Sequence, residues 1–255
     1  MKRLREITEK LGHETSGSDL TNGGHRAENV KGSDMAVYTS AVPSGNEELV
    51  YARANGIPVV ERAEYLGAIA ASFEKTIAVA GTHGKTTTTG MLKEIFASRY
   101  PCVHIGGELK DKPDIEKSEY FITEACEYKR SFLWLNPHIG IVLNAELDHT
   151  DYYKDLFSVR TAFGEFAQKC RTVLYNGDDE GLRKAIKSER ALSFGFSERN
   201  DFRAVAAAAD KDNVWSFNVS ASGLNLGRIT LAVKGRHNVY NALAAASAAL
   251  TEGLA

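Results

Sequence analysis

The chain has 255 residues, 43% of them apolar and 25% charged, with a formal net charge of -2. These totals fit one large globular domain or two ordinary ones. They exclude a chain-wide field that would draw the protein to nucleic acid or an anionic membrane surface. No apolar run approaches the ~20 residues of a membrane-spanning helix.

Met1-Lys2-Arg3 is basic, but no signal-peptide core follows it. The three cysteines, Cys102, Cys126 and Cys170, are far apart and odd in number. That usage suits a reduced, cytoplasmic setting without a zinc site or disulfide framework.

Leu4, Ile7 and Leu11 have helical spacing, and Gly12 closes that segment. Residues 13–19 (HETSGSD) read as a short strand ending in a turn. Residues 35–40 (MAVYTS) make a better strand, 47–55 a helix, 56–60 a turn into a strand, and 62–72 a helix. Residues 1–74 thus alternate helix and strand, which predicts a parallel sheet.

Residues 76–89 (TIAVAGTHGKTTTT) follow. An apolar β-branched run leads into a glycine turn, Lys85-Thr86, and a helix carrying Met91, Leu92, Ile95 and Phe96. This is the layout of a phosphate-binding loop, in which backbone N–H groups and a helix N-terminus face an anion. Lys85 would reach the β- and γ-phosphates of a nucleotide, and Thr86 would offer its hydroxyl to Mg²⁺. The full G-x-x-x-x-G-K-[ST] pattern is not met, because Val79 stands five residues before Gly84. A glycine turn with a chance Lys-Thr is the plainer alternative.

Strands are expected at 102–105, 120–125, 139–144 and 172–175, with helices over 156–166 and 180–188. Residues 110–118 read as a polar loop. From Ala191 the segments 192–196, 202–206, 214–219 and 229–233 are short and separated by turn residues. They predict a small antiparallel patch beside the parallel sheet. Residues 235–249 (GRHNVYNALAAASAA) read as an alanine-rich helix with a polar start.

Open α/β sheets bind ligands at the carboxyl ends of their strands. Glu124 and the cluster Asp148-His149-Thr150-Asp151 stand at such ends. If the sheet gathers these tips, Thr86, Glu124 and His149 converge as an oxygen-rich site for Mg²⁺ beside bound phosphates. The plainer alternatives are a rim glutamate and a helix start capped by Asp151 or Asp155. Asn238 and Asn241 either flank a helix or read adenine through their paired donor and acceptor. His83 is either part of the loop's ligand contact or a turn residue.

Together these segments resemble the Mur ligase family of ATP-dependent amide-forming enzymes. The likeness is carried by SGSD at 16–19, YTSAVPSGNEEL at 38–49, AGTHGKTTTTGML at 80–92, HIGGEL at 104–109, EACEYKRSFLWLNP at 124–137, LNAELDHTDYY at 143–153 and GRHNVYNALAA at 235–245. The shortened phosphate loop is the form this family uses. Within it, the motifs are most similar to the branch that adds L-alanine.

The resemblance implies an α/β fold: a truncated Rossmann-like domain over residues 1–74, then a central P-loop-type ATPase domain over 75–255. The latter would carry a mainly parallel sheet and the antiparallel patch. It implies that Gly81, Thr82, His83, Gly84, Lys85, Thr86 and Thr87 hold the phosphates of ATP, with Asn238 and Asn241 on adenine. It implies Mg²⁺ at Thr86, Glu124 and His149, with Lys85, Glu124 and His149 serving catalysis. Asp19, Thr39 and Ser40 would hold the UDP group of UDP-N-acetylmuramate, and His104, Gly106 and Gly107 its muramoyl part.

Two departures from the family pattern stand out. The first strand with its glycine-rich loop, and a C-terminal third domain, have no counterpart in the sequence. The expectation is therefore a partial enzyme, with poor stability or association at the incomplete N-terminal sheet. The alternatives are a nucleotide-binding fragment without catalysis, or a relative that adds another amino acid or a recycled peptide.

Overall fold

The computed structural model describes residues 1–21, 23–106, 115 and 117–254. The chain opens with helix α1 (Lys2–Lys10), followed by β1 (Ala36–Tyr38), α2 (Glu47–Ala54), β2 (Val59–Glu61) and α3 (Arg62–Ala71). β1 and β2 pair in parallel, Ala36 opposite Val59, as a two-stranded sheet. Residues 13–19 are not a strand: the described backbone there makes only an isolated bridge between Asp19 and Gly23. The Asp19 carboxylate takes the N–H and hydroxyl of Thr21, so local polar contacts displace strand pairing.

The larger sheet has nine strands: β3 (Lys75–Ala80), β4 (Cys102–His104), β5 (Tyr120–Glu124), β6 (Ile139–Val142), β7 (Thr172–Asn176), β8 (Ala191–Gly195), β9 (Phe202–Ala209), β10 (Val214–Ala221) and β11 (Leu224–Lys234). Their order is β11-β10-β9-β8-β7-β6-β3-β5-β4. Every neighbouring pair from β4 to β9 is parallel, and only β9-β10 and β10-β11 are antiparallel. β8 therefore corrects the expected four-segment patch. The helical connection α6 (Glu180–Ala185) returns it parallel to β7, with Val173 opposite Ala191.

Side chains alternate across β3. Ile77 and Val79 join one core with Leu92 of α4 (Lys85–Ile95) and Val239, Leu243 and Ala244 of α7 (His237–Thr251). Ala78 and Ala80 join the other with Phe163 and Phe166 of α5 (Leu156–Lys169) and with Leu4, Ile7, Leu66 and Ile69 of α1 and α3. Burial on both faces explains why β3 reads as an unbroken apolar run. Asp155 caps α5 by accepting the Ser158 N–H at 2.7 Å, in a capping box with Ser158.

At the amino ends of the strands, Glu252 anchors the end of α7. Its carboxylate takes Lys75 Nζ at 3.1 Å, Tyr120 Oη at 2.7 Å and His138 Nε2 at 2.7 Å. Its hydrogen bonds and charge partners outweigh burial and hold its pKa below the usual carboxylate value. This clamp spans the starts of β3 and β5 and the residue before β6. It fixes the axis of α7, whose other end reaches the glycine turn after β3.

Gly67 lets α3 approach the 3₁₀ segment Tyr128–Trp134: a Cβ there would stand 2.5 Å from the Trp134 carbonyl oxygen. Gly67→Ala sets two effects against each other. Helix propensity favours alanine by ~1 kcal/mol, while overpacking against backbone costs ~1–3 kcal/mol. The clash wins, so chemical denaturation should show a destabilised variant; a more stable Gly67→Ala protein would refute this packing.

Candidate functional site

The site follows from strand order. β3 lies between β5 and β6. The loop leaving β3 is therefore flanked on one side by the residues after β5 and on the other by those after β6. This is the crevice at which open α/β sheets bind ligands.

The turn 81–84 is tied to the segment after β6. Thr82 Oγ1 accepts the Glu146 N–H at 2.9 Å, and Asn144 Oδ1 accepts the His83 N–H at 2.8 Å. Asn144 Nδ2 donates back to the His83 carbonyl at 3.0 Å. Gly84 has φ +89, and a Cβ on it would meet Asn241 Oδ1 at 2.5 Å. Only glycine suits both the left-handed backbone and that close approach. Helix α4 begins at Lys85, so its unpaired N–H groups open at the loop. Thr86 is exposed on its first turn, and Thr87 is half-buried.

Lys85 turns back over the loop. Its Nζ donates to the Gly81 carbonyl at 2.5 Å and the Thr82 carbonyl at 3.2 Å, and pairs with Glu127 Oε2 at 3.0 Å. The Glu127 side chain is only 3% exposed. Glu127 is the partner that sequence reading missed. Its carbonyl accepts the Tyr153 hydroxyl at 2.6 Å and the Arg130 N–H at 2.9 Å. Lys129 and Arg130 both adopt left-handed φ, +50 and +58, which turns the chain sharply beside it.

His149 also lies in the left-handed region, at φ +52. Its N–H donates to Asp148 Oδ1 at 2.7 Å, its carbonyl accepts the N–H groups of Tyr152 and Tyr153, and its ring stands 4.6 Å from that of Tyr128. Glu127, Asp148 and His149 each bring a ligand atom within 4.8 Å of the others. Glu124, the carboxylate singled out from sequence, does not belong to that group. It ends β5 opposite Val79, and its Oε1 is buried without a hydrogen-bond partner. An orphaned carboxylate oxygen and a carboxylate–imidazole cluster both suit an oxygen-seeking dication or its bound water.

Asn238 and Asn241 are buried on the first turns of α7. Asn241 Nδ2 donates to Asn238 Oδ1 at 2.8 Å, and Asn238 Nδ2 to the Lys234 carbonyl at 2.7 Å. They back the glycine turn. His83 is two-thirds exposed, 3.6 Å from Glu146.

His104 is buried at the end of β4, with Nδ1 3.0 Å from Thr123 Oγ1. Burial first, then the charges of Arg62, the N-terminal amine and Arg3, lower its pKa to about 3. The ring is therefore neutral near pH 7. Gly106 adjoins Glu124, since a Cβ on it would lie 3.2 Å from Glu124 Oε2; Gly107 lies outside the described residues. Asp19 and Ser40 are exposed and Thr39 is half-buried, all in the N-terminal unit.

The family model for the Mur ligase middle domain matches residues 79–249, and that for the Mur ligase family, catalytic domain, matches residues 1–74. A UDP-N-acetylmuramate–L-alanine ligase of Alkaliphilus metalliredigens is 37% identical over 270 residues, covering 96% of this chain and 59% of the relative. One of Clostridium botulinum is 41% identical, covering 93% of this chain and 53% of the relative. The chain thus spans less than two thirds of the length of these curated relatives. A solved UDP-N-acetylmuramate–alanine ligase of Thermotoga maritima superposes with a TM-score of 0.75 at 27% identity, covering 97% of this chain and 56% of the other.

His104 generates a pH prediction. Its folded pKa of about 3 lies below the ordinary 6.5, so the unfolded chain binds the extra proton between those values. The stabilising effect of the neutral ring is fully present above pH 6.5 and is lost as pH falls towards 3. Wild-type unfolding free energy should fall more steeply than that of His104→Asn between pH 6.5 and 5, by up to ~1.4 kcal/mol per pH unit. Parallel slopes would show that the buried imidazole does not resist protonation.

Proposed function

Because the chain belongs to the Mur ligase family, we propose that it carries the nucleotide-binding part of an enzyme that joins L-alanine to UDP-N-acetylmuramate, driven by ATP, in peptidoglycan precursor synthesis. The observation that carries this reading is Lys85. It sits at the first residue of α4 with its ammonium over the loop carbonyls, between the tips of β5 and β6. A cation so placed meets nucleotide phosphates together with the N–H groups of the helix N-terminus.

Residues 81–87 are assigned to the ATP phosphates and Lys85 to the charge that develops during phosphoryl transfer. Thr86, Glu124 and His149 are assigned to a divalent cation, and the Glu127–Asp148–His149 cluster offers a second set of donors for one. Such a cation would neutralise the repulsion between a carboxylate and a phosphate. Asn238 and Asn241 are assigned to the adenine end. Asp19, Thr39 and Ser40 are assigned to the uridine nucleotide, and His104, Gly106 and Gly107 to the muramoyl part. Residues 1–74 would form the substrate unit and 75–255 the ATP unit. On this reading the reaction is assigned to the cytoplasm. Among the described residues no helix is long and apolar enough to cross a membrane.

In the proposed reaction the sugar-acid carboxylate attacks the γ-phosphorus of ATP, and ADP leaves. The amine of L-alanine then attacks the acyl carbon of the acyl phosphate, and phosphate leaves. The chain's groups act by positioning and electrostatics, since the nucleophiles belong to the substrates. A second reading is nucleotide binding without ligation, which the Lys85 loop supports by itself.

The protein should be incubated with UDP-N-acetylmuramate, L-alanine, ATP and MgCl₂, with the amide product followed by mass spectrometry and phosphate release in parallel. Alanine-dependent amide and phosphate in equal amounts are expected of the ligase. Bound nucleotide without amide would leave the second reading, and absence of both would refute the proposal.

A further inference from the structure

The Lys85–Glu127 pair is built with more care than a salt bridge at a loop requires. The carboxylate is almost fully buried, whereas the Lys85 side chain keeps 18% of its surface exposed. Both Glu127 oxygens face the ammonium, at 3.0 and 3.3 Å. The backbone of Glu127 is locked by Tyr153 Oη and the Arg130 N–H, and two left-handed residues follow it one position on. Such backbone is held only where surrounding contacts impose it.

The same carboxylate faces a second group. His149 Nε2 lies 3.8 Å from Glu127 Oε1, and Asp148 completes the three-residue cluster. Glu127 therefore stands between the ammonium of the phosphate loop and the donors that fit a dication. Its charge cannot satisfy both equally. A divalent cation shared with Asp148 and His149 would draw charge from the ion pair, and Lys85 would keep only neutral carbonyl partners.

We propose that Glu127 is a positioning residue for Lys85, holding the ammonium against the Gly81 and Thr82 carbonyls and releasing it when a divalent cation engages the Glu127–Asp148–His149 cluster. Metal loading and phosphate binding are then coupled through one carboxylate. The coupling is reciprocal: whatever draws Lys85 away also frees Glu127 for the cation. This inference rests on the assignment of residues 81–87 to phosphate, but its test needs no nucleotide.

The test is peptide-resolved labelling of Lys85 with N-hydroxysuccinimidyl acetate, on the nucleotide-free chain, with and without MnCl₂. In the wild type, Mn²⁺ should speed labelling of Lys85 by about fivefold, the scale of releasing a partly buried ion pair. Glu127→Gln should label faster than wild type and show no further response to Mn²⁺. Asp148→Asn, an exposed change that spares the ion pair, should keep the slow rate and lose the Mn²⁺ response. It decides the matter even if Glu127→Gln does not fold. Labelling unaffected by Mn²⁺ in the wild type, or an undiminished Mn²⁺ response in Asp148→Asn, would overturn the proposal. A chain that shows the expected labelling yet binds no ATP would refute the proposed function and the link to phosphate, leaving only the cation-dependent release of Lys85.

Discussion

The cleft of this protein is organised by one ion pair, between the Lys85 ammonium and the buried Glu127 carboxylate. A carboxylate that is 3% exposed carries a large desolvation cost unless a cation and hydrogen bonds answer it. That requirement ties three separate segments together. The loop after β3 must present Lys85, the segment after β5 must turn sharply to bury Glu127, and Tyr153, beyond β6, must hold the Glu127 backbone. Strand order makes this possible, because β5 and β6 are the two neighbours of β3.

The rest of the fold keeps these tips in register. Helices α4 and α7 cover one face of the sheet, and α5 with α1 and α3 the other. At the far end, Glu252 collects Lys75, Tyr120 and His138 and so locks α7 across the strand starts. Asn241, near the other end of α7 from that clamp, backs Gly84 so closely that any side chain there would have to displace it. The glycine turn is thus held by packing behind it as well as by Asn144 and Glu146 beside it. Preorganisation of this kind suits the proposed reaction, whose chemistry would lie in positioning charge.

Sequence made much of this legible, for physical reasons that differ by element. β3 and its loop were readable because burial on both faces demands an apolar run and the turn demands glycine. The start of α5 was readable because Asp151 or Asp155 could cap it, and Asp155 does. Glu127 was not, because the bend beside it uses Lys129 and Arg130 in left-handed conformations that neither residue type advertises. β8 was assigned to the wrong kind of pairing because composition does not encode strand direction; the crossover through α6 sets it. Residues 13–19 read as a short strand ending in a turn; the turn after Asp19 is present, held by its carboxylate on Thr21, but the strand before it is not. The family motifs named Glu124, whose Oε1 is buried without a hydrogen-bond partner, but not Glu127, which forms a separate cluster with Asp148 and His149.

If Lys85 and the loop around it bind the phosphates of a nucleotide, loss of the ammonium should abolish that binding. Calorimetric titration of ATP with MgCl₂ into the wild type and Lys85→Met tests it most directly. The variant leaves Glu127 without its cation at a stability cost of roughly 2–3 kcal/mol, so its fold should first be checked by circular dichroism, with the Lys85→Met/Glu127→Gln double variant as a relieved control. Saturable one-to-one binding by the wild type, abolished in both variants, is the predicted result. Equal affinity in all three proteins, or no binding by the wild type, would contradict the account.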